Sequence, residues 1–395
     1  MTPTLLCIAT YRKGDEFLRE CRRRGCRVLL LTDEKLAGSD WPREAIDDMF
    51  FVRRDMPDQD IRKGAAYLAR TERLDHIVAL DDFDVETAAM LREYLNVAGM
   101  GVTTARGFRD KLAMRTRARA AGIPIPAFVH ALHHPTIAEW TQRHPAPWVL
   151  KPRSQAAAIG IRKIASAEDL WRTLEALGDT QADFVLEQFL PGDVYHVDSI
   201  VFDGKLQFAK ASRYRMPPMS VAHEGGIFVT STIRDDDPRA TALREMNDRV
   251  LTSFGLRRGA SHTEFIHALD GNWYFLETSA RVGGAYIVDV VEAASGLNLW
   301  REWAAAEIAG EEGYQPPADR GWEAGIVLSL ARQEWPDLSA YQDPEIVARI
   351  KRAHHAGLVL AAEQHGRVPQ LLDDYVARFQ TDFHASAPPP ERPLD

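Results

Sequence analysis

The sequence is poor in cysteine: only Cys7, Cys21 and Cys26 occur in 395 residues, all near the N-terminus. They fit neither a C-x-x-C redox pair nor paired zinc spacing, and read as buried free thiols. Long apolar runs are also missing. Leu5–Ala9 is too short for a signal-peptide core or a membrane span, so a cytoplasmic protein is expected. No Lys/Arg run interleaved with aromatics occurs, and the formal net charge of −9 argues against a general nucleic-acid binder. A Walker A loop, a G-x-S-x-G elbow, an H-E-x-x-H helix and internal repeats are all absent, which removes several hydrolase and NTPase readings. Gly99-Met100-Gly101 lacks the third glycine of a dinucleotide fingerprint and reads as a turn. No Ser/His/Asp or Cys/His arrangement points to nucleophilic catalysis.

What is present is an ordinary globular composition, 45% hydrophobic and 27% charged. At ~100–200 residues per domain, two or three domains are expected. Apolar runs at 4–9 and 27–32 flank the polar DEFLRECRRRGC, and HIVAL follows at 76–80, a β-α-β-α-β rhythm. A parallel sheet would set Thr10-Tyr11-Arg12 and Asp81-Asp82-Phe83-Asp84 at the carboxyl ends of strands, where ligands bind; helix caps and solvated turns are the plainer reading. From about 106 come a basic helix, the strands WVLKP and FVLEQFL, and two hairpins turning at Asp203-Gly204 and Asp270-Gly271. Residues 306–385 mix strand-like AGIVLSLA and GLVLAAE with helices, and SAPPPERPLD reads as a mobile tail.

The second hairpin gives the sharpest inference. A two-residue turn at Asp270-Gly271 sets Leu269 opposite Asn272, so Glu264 faces Glu277, His262 faces Ser279, and all four share one side of the ribbon. Like charges facing each other are destabilising. A divalent cation resolves this, since Mg²⁺ is usually held by one or two carboxylates plus substrate phosphates. An exposed hairpin with lysine-paired glutamates is the competing reading. Arg281, followed by Val282-Gly283-Gly284, suits a phosphate or carboxylate. Lys111 starts a helix, Lys151 ends a strand, and Ser154 to Gly160 form a small-residue loop that lets backbone amides approach phosphates. The segment 210–230 reads as a loop from its Pro and Gly content. In it, Arg213 or Arg215 could hold a substrate carboxylate, with His223 nearby and Glu224 orienting or deprotonating an amine.

Taken in order, Lys111, Lys151 with its loop, Glu187-Gln188-Phe189-Leu190, Glu264 and Glu277-Thr278-Ser279-Ala280-Arg281 resemble the ATP-grasp superfamily, of the carboxylate–amine ligase type that includes D-alanine–D-alanine ligase and L-amino-acid ligases. The resemblance implies a mixed α/β and α+β chain: a Rossmann-like pre-ATP-grasp domain (1–105), two ATP-grasp subdomains (106–185 and 186–305), a C-terminal extension (306–385) and a flexible tail (386–395). It further implies ATP and Mg²⁺, with Mn²⁺ as a substitute. Lys111 and Lys151 would reach phosphates beneath the loop from Ser154 to Gly160. Glu187 would bind the adenine amino group, Gln188, Phe189 and Leu190 would form the hinge, and Leu276 would pack on the base. Glu264, Glu277 and Ser279, the last in place of the family's usual Asn, would ligate metal. Val194 stands where a ribose-binding Glu is common, so Asp193 or His196 would substitute. Arg281 would hold the transferring phosphate or the acyl phosphate, beside Gly283 and Gly284 at the substrate.

The implied reaction converts a carboxylate to an acyl phosphate with release of ADP, after which an amine displaces phosphate to form an amide. Small-molecule acids and amines, in particular amino acids, are then the partners, with no nucleic acid or membrane, and homodimerisation is common in such ligases. A carboxylase or purine-pathway enzyme with another nucleophile, and a non-catalytic ATP-binding module, stay open as alternatives.

Overall fold

A computed structural model describes residues 2–53, 55–156, 158–310 and 313–386, with the side chains of 222–224 also outside the description. The expected tail therefore lies almost wholly beyond the described residues. The N-terminal sheet is parallel, built from β1 (Thr4–Ala9), β2 (Arg27–Asp33), β3 (Asp48–Val52) and β4 (His76–Ala79) in the order β3-β2-β1-β4. Every residue of β1 is buried, as its unbroken apolar run requires of a strand covered on both faces. The helix Asp15–Arg23 that follows carries acids in its first turn and bases in its last, matching the helix dipole, and turns Phe17, Leu18 and Cys21 inward. All three cysteines are free and buried, as expected. β3 was not anticipated, because DMFFV is a short, half-exposed edge strand without a clear period.

A second, antiparallel sheet holds β5 (Phe128–His130), β6 (Trp148–Pro152), β7 (Arg162–Ile164) and β8 (Phe184–Gln188) in the order β5-β8-β6-β7. The helices His134–Arg143 and Ala167–Leu177 cover it with Ile137, Trp140, Leu170 and Leu174. The third sheet has eight antiparallel strands: β9 (Gly192–Phe202), β10 (Lys205–Tyr214), β11 (Phe228–Thr232), β12 (Gly259–Ala268), β13 (Trp273–Ser279), β14 (Glu323–Leu330), β15 (Ile346–Arg349) and β16 (His355–Ala362). Their order is β13-β12-β9-β10-β11-β14-β16-β15, so the strands beyond 305 continue the sheet of the hairpins. The helix Pro238–Phe254 packs on one face, and the helix Leu299–Ile308 joins the other to the N-terminal sheet. Leu5, Cys7 and Val28 thus share one core with Ile200, Ala260, Trp300 and Trp303.

The two hairpins resolve differently. Asp203 and Gly204 form the expected two-residue turn, both left-handed (φ 50° and 73°), with Phe202 opposite Lys205. The second connection is one residue longer: the Ala268 amide donates to the Asn272 carbonyl, leaving Leu269-Asp270-Gly271 as the loop, with Gly271 at φ 84°. Near the turn the register is accordingly shifted, with Phe265 opposite Phe275. A bulge at Leu276 then restores it, so Glu264 does face Glu277 and His262 faces Ser279. The turn thus differs from the expected one while the pairing of the glutamates is as expected, because the two offsets cancel.

The segment 210–230 also differs from expectation. Residues through Tyr214 belong to β10, Pro217-Pro218 open the short helix Pro218–Glu224, and β11 begins at Phe228. Proline there acts as a helix starter rather than a loop marker.

At the start of β9, a Cβ on Gly192 would lie 2.2 Å from the His267 carbonyl oxygen and 2.7 Å from the Ala268 Cα. Neither is a flexible side-chain end. Gly192→Ala is expected to cost about 1–3 kcal/mol, read as a lower urea midpoint at unchanged slope; an unchanged midpoint would show that the two strands part easily.

Candidate active site

The helix Lys111–Ala120 starts at Asp110, whose side chain caps the Leu112 and Ala113 amides and also receives Arg153. This cap fixes Lys111 at the mouth of the cleft between the second and third sheets. Lys111 Nζ lies 3.0 Å from Glu277 Oε2 and donates to the Gln155 carbonyl at 2.7 Å. Lys151, on β6, lies 2.8 Å from Glu187 Oε2 on β8. One turn after Lys111, Arg115 is fully buried, with Nε 2.8 Å from Glu187 Oε1 and a further hydrogen bond to the Leu276 carbonyl at the bulge. Its spacing of four from Lys111 was a signal that the sequence reading passed over.

Both oxygens of Glu187 thus lie against cations, Oε2 beside Lys151 and a guanidinium nitrogen of Arg115, and Oε1 in an ion pair with Arg115 Nε without a hydrogen bond, and the side chain is 1% exposed. The expected bond from this carboxylate to an adenine amino group is not supported: Glu187 is a buried counter-ion. Burial pushes its carboxyl up, but the charges of Arg115 and Lys151 outweigh that and hold it below the usual range. Glu277 behaves alike, burial being outweighed by Lys111 and Lys151, which hold its carboxyl at about 2. Its side chain nevertheless keeps 36% of its surface exposed, so it is open to an incoming group.

Glu264 accepts a hydrogen bond from the Tyr214 hydroxyl at 3.0 Å and lies 3.6 Å from His262 Nε2. His262 Nδ1 meets Asp198 Oδ1 at 2.8 Å, and the other oxygen of Asp198 meets His196 Nδ1 at 2.6 Å. Burial opposes charge on both partners, yet Asp198 stays well below the usual carboxylate range beside His262 and His196, and Asp198 and Glu264 raise the His262 imidazole to about 9. His196 has no exposed surface, and its Nε2 is taken by Thr230 Oγ1 at 2.7 Å. It cannot serve a ribose, which corrects that expectation. Asp193 is half-exposed and pairs with Arg213 at 2.8 Å.

The remaining candidates scatter around the cleft. The Ser154 carbonyl accepts from Arg109, a buried residue that also pairs with Asp82 at the carboxyl end of the N-terminal sheet. Gly160 has φ 70°, and a Cβ there would meet Pro152 at 2.8 Å. Gln188 and Phe189 donate their amides to the Ala127 and Pro147 carbonyls, while Leu190 and Leu276 pack against the shared core. Arg281 is tied to the Val282 carbonyl at 2.8 Å, its Nε is buried without a hydrogen-bond partner, and its charge acts on both Asp81 and Tyr214. Gly283 admits no side chain, since a Cβ would lie 2.7 Å from Asp198 Oδ1, whereas Gly284 faces open space. Ala285 and Tyr286 follow in the left-handed region, a conformation costing non-glycine residues about 1–3 kcal/mol each. Arg215 pairs with Asp373 of the C-terminal helix Arg367–Asp382. The side chains of His223 and Glu224 lie outside the described residues.

Two facing carboxylates, two lysines and a small-residue loop around one cleft make a site for a polyphosphate and a hard cation. The all-oxygen donor set of Glu264, Glu277 and Ser279 suits Mg²⁺. Residues 144–289 match the ATP-grasp domain family. The chain carries an ATP-grasp domain. An L-arginine-specific L-amino acid ligase from Bacillus subtilis is 26% identical over 261 residues, 64% of this chain and 62% of that protein. The match thus spans less than two thirds of that relative's length. A D-alanine–D-alanine ligase from Neisseria gonorrhoeae is 22% identical over 51% of the chain and 67% of its own. Beyond the ATP-grasp domain itself, the fold as a whole is that of the L-amino acid ligase from Bacillus licheniformis, with a TM-score of 0.77, 16% identity and coverage of 97% and 98% of the two chains. Among the described residues no helix is long and apolar enough to cross a membrane.

Replacing Arg115 by Leu is expected to cost about 3 kcal/mol of unfolding free energy, the low end for a broken buried ion pair because Lys151 still faces Glu187; a loss below about 1 kcal/mol would contradict this account. A second test concerns Asp84, which accepts from the Thr10 amide and hydroxyl and is pushed up to about 7, first by burial and then by the Asp81 charge. An acid raised in the folded state favours folding below its unfolded value and loses that advantage as pH rises through the folded one. Stability plotted from pH 3.8 to about 7 should therefore fall less steeply in Asp84→Asn than in the wild type.

Proposed function

We propose that the protein is an ATP-dependent carboxylate–amine ligase, which activates an acid as its acyl phosphate and joins it to an amine with release of ADP and phosphate. The observation that carries this is the convergence of Lys111, Lys151, Glu264 and Glu277, from four different elements, on one cleft. In this reading the lysines hold the phosphate chain beneath residues 154–160, with phosphate oxygens competing against Glu277 for Lys111. The backbone at Gln188, Phe189 and Leu190 and the side chain of Leu276 border the base, and Asp193 is left as the ribose candidate. Glu264, Glu277 and Ser279 would hold Mg²⁺, which supplies charge neutralisation for the phosphates when bound.

Phosphoryl transfer calls for positioning and charge stabilisation more than for a protein nucleophile. In this reading Arg281 takes the transferring phosphate or the acyl phosphate, which its unpartnered Nε supports. The names of the relatives favour amino acids as both acid and amine. Arg213 and the open backbone at Gly284 are the substrate-side groups this reading keeps, and Arg215, held by Asp373, drops out of it. A cytoplasmic location, homodimerisation and a unit boundary at 105 belong to the same proposal; the expected boundaries at 185 and 305 do not, since they would cut β8 and the helix Leu299–Ile308, and the strands beyond 305 extend the same sheet.

The test is Mg²⁺-dependent ADP release against pooled amino acids and small carboxylic acids, with mass spectrometry of each responding pool. A product one water lighter than its parts, lost in Lys151→Ala and Glu277→Ala, is the expected result. ADP release with no condensed product, or activity that survives both substitutions, would sink the ligase assignment.

A further inference from the structure

The buried set His196, Asp198 and His262 offers one ligand atom from each residue, all within 4.8 Å of one another. It is not itself a metal cage. Each oxygen of Asp198 already receives one imidazole, the far nitrogen of His196 is taken by Thr230, and the close backbone at Gly283 seals the pair. One nitrogen of the set faces outward: His262 Nε2, 3.6 Å from Glu264 Oε1 and 3.4 Å from the Tyr214 hydroxyl. The Tyr214 hydroxyl is itself bonded to the same Glu264 oxygen. Asp198 is wholly buried and His262 is 8% exposed, so neither can reach a ligand in the cleft directly.

We propose that Asp198 and His262 are positioning residues, a carboxylate and an imidazole that, together with Tyr214, fix the Glu264 carboxylate in the orientation in which it takes the divalent cation. This rests on Glu264 being a metal ligand, as proposed above. Asp198 holds the ring by Nδ1, which fixes the plane in which Nε2 meets Glu264. Outer groups of this kind typically change metal affinity by about 10–100-fold without touching the ion. Both contacts fall on Glu264 Oε1, and Tyr214 reaches it from β10, on the side of β12 opposite β13.

The probe is Mn²⁺, measured on the full-length protein by loss of the free-ion electron paramagnetic resonance signal at saturating ADP, with ADP binding without metal measured by calorimetry. Asn at 262 keeps an amide where Nδ1 meets Asp198 and cannot reach Glu264, whereas Gln reaches toward Glu264 as Nε2 does. His262→Asn should weaken Mn²⁺ binding about tenfold or more and His262→Gln by no more than about threefold, with ADP binding unaltered in both. Asp198→Asn should weaken it similarly, and the double variant Asp198→Asn/His262→Asn no further than His262→Asn alone. Tyr214→Phe, which keeps the core filled, should lose a few-fold.

The reverse order of Asn and Gln, unchanged affinity in His262→Asn and Tyr214→Phe, multiplicative losses in the double variant, or an equal loss of metal-free ADP affinity would each overturn the proposal. Glu264→Gln separates the two levels. If it binds Mn²⁺ as the wild type does, the metal reading itself fails; if it loses the ion while His262→Asn does not, only the positioning role fails.

Discussion

Two carboxylates held opposite each other on neighbouring strands are the constraint around which the cleft is organised. Pairing between β12 and β13 sets Glu264 against Glu277 whatever their charge, and the surrounding protein has to compensate. It does so from two directions. Lys111 comes to Glu277 from a capped helix start, while Tyr214 and His262 come to Glu264 from within the eight-stranded sheet. The two glutamates therefore meet different environments, one ammonium-paired and partly exposed, the other held by neighbours of its own sheet.

Around that pair the buried acids have their own cationic neighbours. Glu187 lies under the cleft with Arg115 and Lys151, and Arg115 reaches on to the carbonyl at the bulge of β13. The same bulge that restores the register of the glutamates thus gives the guanidinium an acceptor, so strand geometry and charge compensation are solved at one residue. Arg109 does comparable work further out, linking Asp82 of the N-terminal sheet to the carbonyl of Ser154 in the loop over the lysines.

Much of this was legible in the residues. The parallel N-terminal sheet followed from short apolar runs around a polar helix, and the facing glutamates followed from hairpin arithmetic even though the loop is a residue longer than assumed. What was not legible depended on contacts far apart in the chain. Arg115 is separated from Glu187 by 72 residues, and His262 from Asp198 by 64. The short strands β3, β5 and β7 carry too few residues to show a period, and Pro217-Pro218 reads equally well as a loop or as a helix start until its neighbours are known. His196 looked available for a ligand because alternation along β9 does not reveal which face is sealed.

The shared core has a consequence for how such a chain can be divided. Trp300 and Trp303 of the helix Leu299–Ile308 lie beyond residue 289, where the ATP-grasp match ends, yet they fill the space between Leu5 and Cys7 on one side and Ile200 and Ala260 on the other. Excising the matched stretch would strip one face of the eight-stranded sheet and remove β14, the neighbour of β11. The N-terminal and eight-stranded sheets therefore depend on one another, and a boundary drawn at residue 289 would divide the core they have in common.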